Sequence, residues 1–164
     1  MTVLALDLSL TATGHCSSDG AIGTIIPKTK GTARIVFIVD EVLDEVHRSK
    51  PKLIIMEDIP FGGRNNAAGP LAMLHGALRY MLHDRGCPFV TVPPASLKKY
   101  ATGKGNATKP DMRMALFQRH GLDLRDDNQV DAWWLMHMAL DHLGEPIIVL
   151  PKTHRDALAK VEWE

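Results

Sequence analysis

Three acidic residues of this 164-residue chain stand where an apolar run should continue. Asp7 follows Val3, Leu4, Ala5 and Leu6; Glu57 ends the run Leu53, Ile54, Ile55, Met56; Asp131 precedes Ala132, Trp133, Trp134 and Leu135. An ionised carboxylate withdrawn from water is costly unless something partners it, and no lysine or arginine adjoins any of the three in sequence. A divalent cation is a sufficient partner, and hard carboxylate oxygens suit Mg²⁺ or Mn²⁺. Asn128, three residues before Asp131, falls on the same side of a helix and can add an amide carbonyl. Taken singly, each acid also has an ordinary explanation: a turn-forming aspartate, a salt-bridged strand end, a helix N-terminal charge favoured by the dipole. They become a constellation if their three elements converge at one edge of one sheet. Asp58, Asp126 and Asp127 are expected around such a site or in solvent, rather than on the ion.

The elements that would position them can be read from periodicity. Residues 2–9 form a strand, and residues 13–27 form two more joined by a turn at Ser18-Asp19-Gly20, so the fold opens as an antiparallel meander. From Thr32 the apolar residues Ile35, Val36, Val39, Val42, Leu43 and Val46 recur at helical spacing, with acids on the other side. Residues 52–58 read as a central parallel strand covered on both faces. A loop at 60–70 leads into a helix carrying Leu71, Leu74, Leu78 and Leu82, and a further strand stops at Pro93-Pro94. A short helix, a glycine-containing loop and a second helix opened by Thr108 with Pro110 just inside follow. Residues 126–144 make the last long helix, capped by Gly144, and residues 144–164 remain as an accessory tail of open role, with room for a short helix. The expectation is one α/β domain spanning 1–164, with no internal repeat and no linker.

Composition narrows the function classes. The chain carries 19 Lys plus Arg and 19 Asp plus Glu, a net charge of 0, so whole-molecule charge does not announce a nucleic-acid binder. Between Lys98 and Arg119, however, Lys98, Lys99, Lys104, Lys109, Arg113 and Arg119 face the single acid Asp111. That segment is locally basic, as a phosphate-binding surface is. The two cysteines, Cys16 and Cys87, make neither a disulfide framework nor a CxxC metal site. With no membrane-length apolar run and no signal pattern at the N-terminus, the expected location is the cytoplasm.

Four stretches, LALDLSLTATG, IIMEDIPF, PPASLKKYATGKGNATK and DDNQVDAWWLMHMAL, resemble in order and spacing the RuvC-type Holliday-junction resolvases, particularly the compact versions of bacteriophages. The similarity covers residues 2 to 143. It implies an RNase H-like fold: a mixed five-stranded sheet, the first three strands antiparallel, with helices on both faces. It also implies a metal-dependent endonuclease that acts as a homodimer on branched DNA, nicking two strands of a four-way junction symmetrically. Asp7, Glu57 and Asp131 match the catalytic carboxylates, with two Mg²⁺ or Mn²⁺ ions per site. The family usually places an Asp or His where this chain has Asn128, which lowers the charge of the site, so either weaker Mg²⁺ affinity or a preference for Mn²⁺ is expected. Lys98 and Lys109 match lysines near the scissile phosphate, with Lys109 expected to neutralise charge developing there. Lys99, Lys104 and Arg113 are expected on the DNA surface. Phe61 lies one residue from the family's junction-stacking aromatic, whose own slot holds Pro60. Trp133 and Trp134 are expected in the core or at the dimer interface.

The implied chemistry is phosphodiester hydrolysis leaving a 5′ phosphate and a 3′ hydroxyl. Two other readings stay within the fold: a general debranching or flap nuclease, and a junction-binding scaffold without catalysis. DLSLTATG also resembles the first phosphate loop of actin-like ATPases and sugar kinases, but such chains are longer and carry a second phosphate loop. No residue pattern points to a branch-migration partner.

Overall fold

A computed structural model of the chain describes residues 2–59 and 68–163. The elements run β1 (Val3–Asp7), β2 (Thr13–Ser17), β3 (Ile22–Ile25), α1 (Thr32–Ser49), β4 (Leu53–Glu57), α2 (Ala68–Asp84), β5 (Phe89–Val92), α3 (Pro94–Thr102), α4 (Lys109–His120), α5 (Asp127–His142), α6 (Lys152–Arg155) and a closing 3₁₀ turn (Leu158–Lys160). The five strands form one sheet ordered β3-β2-β1-β4-β5. β1 pairs antiparallel with β2, and β2 with β3; β4 runs parallel to both β1 and β5. This is the mixed sheet of the RNase H-like fold, with the opening meander antiparallel.

Alternation along the strands divides the interior into two layers. Val3 and Ala5 of β1, with Leu53 and Ile55 of β4, face α3, α4 and α5; Leu4, Leu6, Ile54 and Met56 face α1 and α2. Because side chains alternate with period two, Asp7 continues the Val3, Ala5 set and Glu57 the Leu53, Ile55 set. Both acids therefore point to the face that α5 covers.

α5 is buried on nearly every side from Val130 to Asp141, lying between the sheet and α3, α4 and the C-terminal segment. Its first turn reaches the sheet only because residue 14 is glycine: a Cβ there would stand 2.1 Å from the Asn128 carbonyl oxygen. Gly14 is the residue opposite Asp7 in the β1–β2 register, so the same close approach brings the start of α5 to the first acid. Asp126 caps the helix, accepting from the Asn128 backbone N–H at 2.9 Å and from the Thr24 hydroxyl on β3. α4 opens with a reciprocal capping box between Thr108 and Asp111, with Pro110 in the first turn.

Residues 144–163 pack onto this framework. Leu150, Ala157 and Val161 are buried, and the Trp163 ring stacks on His142 with centroids 3.9 Å apart. Trp133 and Trp134 are both buried, and the Trp134 indole N–H donates to the Met112 carbonyl at 3.1 Å. Cys16 and Cys87 are unpaired. No helix among the described residues is long and apolar enough to cross a membrane.

Candidate active site

Leu6 of β1 sits beside Met56 of β4 in parallel register, so Asp7 and Glu57 lie one residue further on, at the carboxyl ends of adjacent strands. α5 crosses the same face and supplies Asp131 from its second turn. The three acids, with Asn128, Lys98 and Lys109, line a cleft of about 310 Å³.

The electrostatics of the cleft are those of uncompensated charge. Among the described residues, none of the three carboxylates takes a hydrogen bond or a contact ion pair. Burial, reinforced by Glu57 and Asp131, pushes Asp7 up to about 8. Burial and then Asp131 push Glu57 up to about 7, and burial raises Asp131 to about 6. Lys109 works against all three rises, and Lys98 against those of Glu57 and Asp131. No group of three or more His, Cys, Asp or Glu side chains among the described residues stands arranged to hold a metal ion. The donor set nevertheless fits a hard divalent ion, which would replace the protons these carboxyls otherwise retain. Asn128 uses its Nδ2 to donate to Asp126 Oδ1 at 2.9 Å, which leaves its carbonyl oxygen uncommitted on the cleft wall.

The basic residues divide. Lys98, on α3, and Lys109, at the first position of α4, line the cleft, and Lys109 Nζ also stands 3.8 Å from Asp127. Lys99, Lys104 and Arg113 are not among its walls. Lys99 is on the last turn of α3, Lys104 is exposed in the following loop, and Arg113 donates to Asp123 at 2.7 Å beside a neighbouring cleft that Phe117 and Met114 help to line. Phe61 lies outside the described residues. Asp58 also lines the cleft, and its Oδ1 accepts from Arg79 Nη2 and from the Ile59 N–H, both at 2.8 Å.

Two cleft residues escaped the sequence reading. Ser9 lines the cleft just beyond β1. His75 lies on α2, only 3% exposed, and its Nδ1 has no hydrogen-bond partner among the described residues; burial lowers it to about 4 and keeps the ring neutral. In the sequence it sits inside the Leu71, Leu74, Leu78 stripe, where a core histidine looks the same.

No family model matches the chain. Over 92 residues the chain is 30% identical to the crossover junction endodeoxyribonuclease RuvC of Neorickettsia sennetsu, a stretch covering 56% of this chain and 55% of that one. The match thus spans about half the length of that relative. The structure of Thermus thermophilus RuvC superposes with a TM-score of 0.70 at 22% identity, covering 88% of this chain and 98% of that chain. T. thermophilus RuvC in complex with a Holliday junction substrate gives a TM-score of 0.69 at 22% identity, covering 88% and 97%. The chain has the RNase H-like fold of RuvC, and resembles RuvC in sequence over rather more than half of its own length.

Proposed function

We propose that this protein is a divalent-metal-dependent endonuclease that resolves four-way DNA junctions by paired symmetric hydrolysis, acting as a homodimer within the cell. The observation that carries the proposal is the set of three partnerless carboxylates at the ends of β1 and β4 and the start of α5, flanked by two lysines. The similarity to RuvC supplies the substrate class.

Asp7, Glu57 and Asp131, with the carbonyl of Asn128, would hold two Mg²⁺ or Mn²⁺ ions. Such ions, when bound, supply an activated water for in-line attack and stabilisation of the leaving 3′ oxygen. The remaining work falls to the chain. The half-buried carboxylates exclude bulk water from one side of the scissile phosphate and fix where cations sit. Lys109, held near the mouth by Asp127, places a positive charge on the non-bridging oxygens as negative charge grows there. Lys98 approaches from α3 on another wall and positions the strand. The products are a 5′ phosphate and a 3′ hydroxyl. Selectivity for junctions comes from the spacing of two sites in a dimer and from DNA shape, because the described cleft offers charge and carboxylates rather than a base-reading element.

The test is cleavage of a synthetic immobile four-way junction in Mg²⁺ and in Mn²⁺, beside linear duplex and a flap. Paired nicks in the junction alone are the expected result. Equal cutting of flaps and junctions would replace the resolvase with a broader debranching nuclease. Tight junction binding without cutting in either metal would leave a scaffold.

A further inference from the structure

We infer that the C-terminal segment acts as a clamp that sets the position of Lys98, with Tyr100, Asp141 and Arg155 as positioning residues for the cleft; the inference rests on the nuclease reading for the use Lys98 is put to. α3 has nine residues and no side-chain cap at its N-terminus. A helix this short is not stable alone, so its rotation about its axis is decided by what it packs against. Lys98 and Tyr100 are two positions apart, about 200° around the helix. Fixing the direction of Tyr100 therefore turns Lys98 the opposite way, toward the carboxylates.

Tyr100 is fully buried, and its hydroxyl donates to Asp141 Oδ2 at 2.9 Å. With that proton committed, the 2.8 Å contact to His137 Nδ1 requires the histidine to be the donor. His137 Nε2 is then an acceptor, and it takes the Ile148 N–H at 3.4 Å. Asp141 receives Arg155 through Nε at 3.0 Å and Nη2 at 2.9 Å. His154 adds a second hold, donating from Nδ1 to the Tyr100 carbonyl at 2.8 Å. Its ring lies against Gly103, the αL cap of α3, where a Cβ would stand 3.0 Å from Nε2. Ile148, His154 and Arg155 all belong to the tail. Without them the Asp141 carboxylate and the Tyr100 carbonyl each lose a partner in the interior, and the last turn of α3 loses its wall.

A double-mutant cycle separates positioning from general support. Single-turnover junction cleavage is measured for Arg155→Gln and Tyr100→Phe, each in the wild-type and the Lys98→Ala background, with junction affinity and melting temperature alongside. Tyr100→Phe keeps the ring packed and removes only the hydroxyl, so the cycle survives if Arg155→Gln fails to fold. The expected result is an about tenfold loss of rate in the wild-type background and less than about twofold in Lys98→Ala, with rate largely restored by Arg155→Lys. Equal losses in both backgrounds, or none in either, overturn the clamp. If the wild-type protein cuts nothing, the nuclease reading fails on its own account. The clamp is then read from the ¹³C NMR signals of reductively methylated lysines: Lys98 should shift in Tyr100→Phe while Lys28 and Lys52 stay, and an unmoved Lys98 overturns it.

Discussion

Asp141 and the group formed by Asp7, Glu57 and Asp131 are all carboxylates drawn out of water, and α5 carries one of each kind within ten residues, Asp131 and Asp141. Asp141, 3% exposed, is answered inside the chain by two N–H groups of Arg155 and the hydroxyl of Tyr100. Among the described residues the three cleft acids receive no such donors, and they are pushed toward protonation by burial and by neighbouring acids. A buried carboxylate whose donors are supplied by the fold becomes part of the fold, whereas one left unanswered creates a demand that only an outside cation meets. The chemistry of the two ends of α5 follows from their surroundings, not from the residue type they share.

Substitutions can break that contrast. Asp7→Asn is expected to lower metal-dependent junction cleavage by about a thousandfold or more, with junction affinity unchanged or improved. Single-turnover kinetics with a gel-shift titration check it, and a variant that cuts normally removes Asp7 from the site. Arg155→Ala leaves Asp141 with Tyr100 as its donor and should lower the unfolding free energy measurably, read by chemical denaturation; no change would show that Asp141 reaches water. Gly14→Ala should cost about 2 kcal/mol by forcing the start of α5 off the sheet, and it should weaken metal binding while leaving the Asp141 end intact. Amide exchange resolves the two ends of α5, and uniform exposure along the helix would contradict the prediction.

The smallest effect is the coupling of pH to metal. Because the folded-state values of Asp7, Glu57 and Asp131 are raised, these three carboxyls hold more protons in the folded than in the unfolded chain between about pH 4 and about 8. Their contribution to metal-free stability should therefore fall as pH rises from about 4 and level off above about 8, while His15, His75, His120, His137 and His142, held below the usual histidine range by burial, act in the opposite sense at the acidic end. Mg²⁺ or Mn²⁺ at about ten times its Kd should restore about 1.4 kcal/mol at pH 8 and much less at pH 5, where protons compete. Melting curves at both pH values measure this, and equal stabilisation at the two would place the ion elsewhere.

Much of this arrangement is written in local pattern. The runs ending at Asp7 and Glu57 are strand-like, and counting by twos along each puts both acids on one face. The opening meander and the long last helix follow from the same periodicity, the mixed five-stranded sheet is implied by the resemblance to the resolvases, and Thr108 with Pro110 marks the start of α4 as expected. What escaped was set by particular side-chain contacts, some local and some between separate elements. Arg113 is basic like its neighbours, but Asp123 claims it. The Asn128 amide is committed to Asp126 through one nitrogen, a detail no spacing encodes. His75 hides among leucines, and Arg155 looks like a surface charge until Asp141, fourteen residues earlier, is found beneath it.

The location of the clamp also sets an order of events during synthesis. The strands that carry Asp7 and Glu57 leave the ribosome early, but the partners of Tyr100, His137 and Asp141 include Ile148, His154 and Arg155. A nascent chain paused before residue 148 can form its meander and α1 and offers α3 the walls of α4 and α5, but it lacks the holds of His154 and Arg155. The cutting surface is thereby completed only after residue 155 has emerged, well after the strands that carry Asp7 and Glu57.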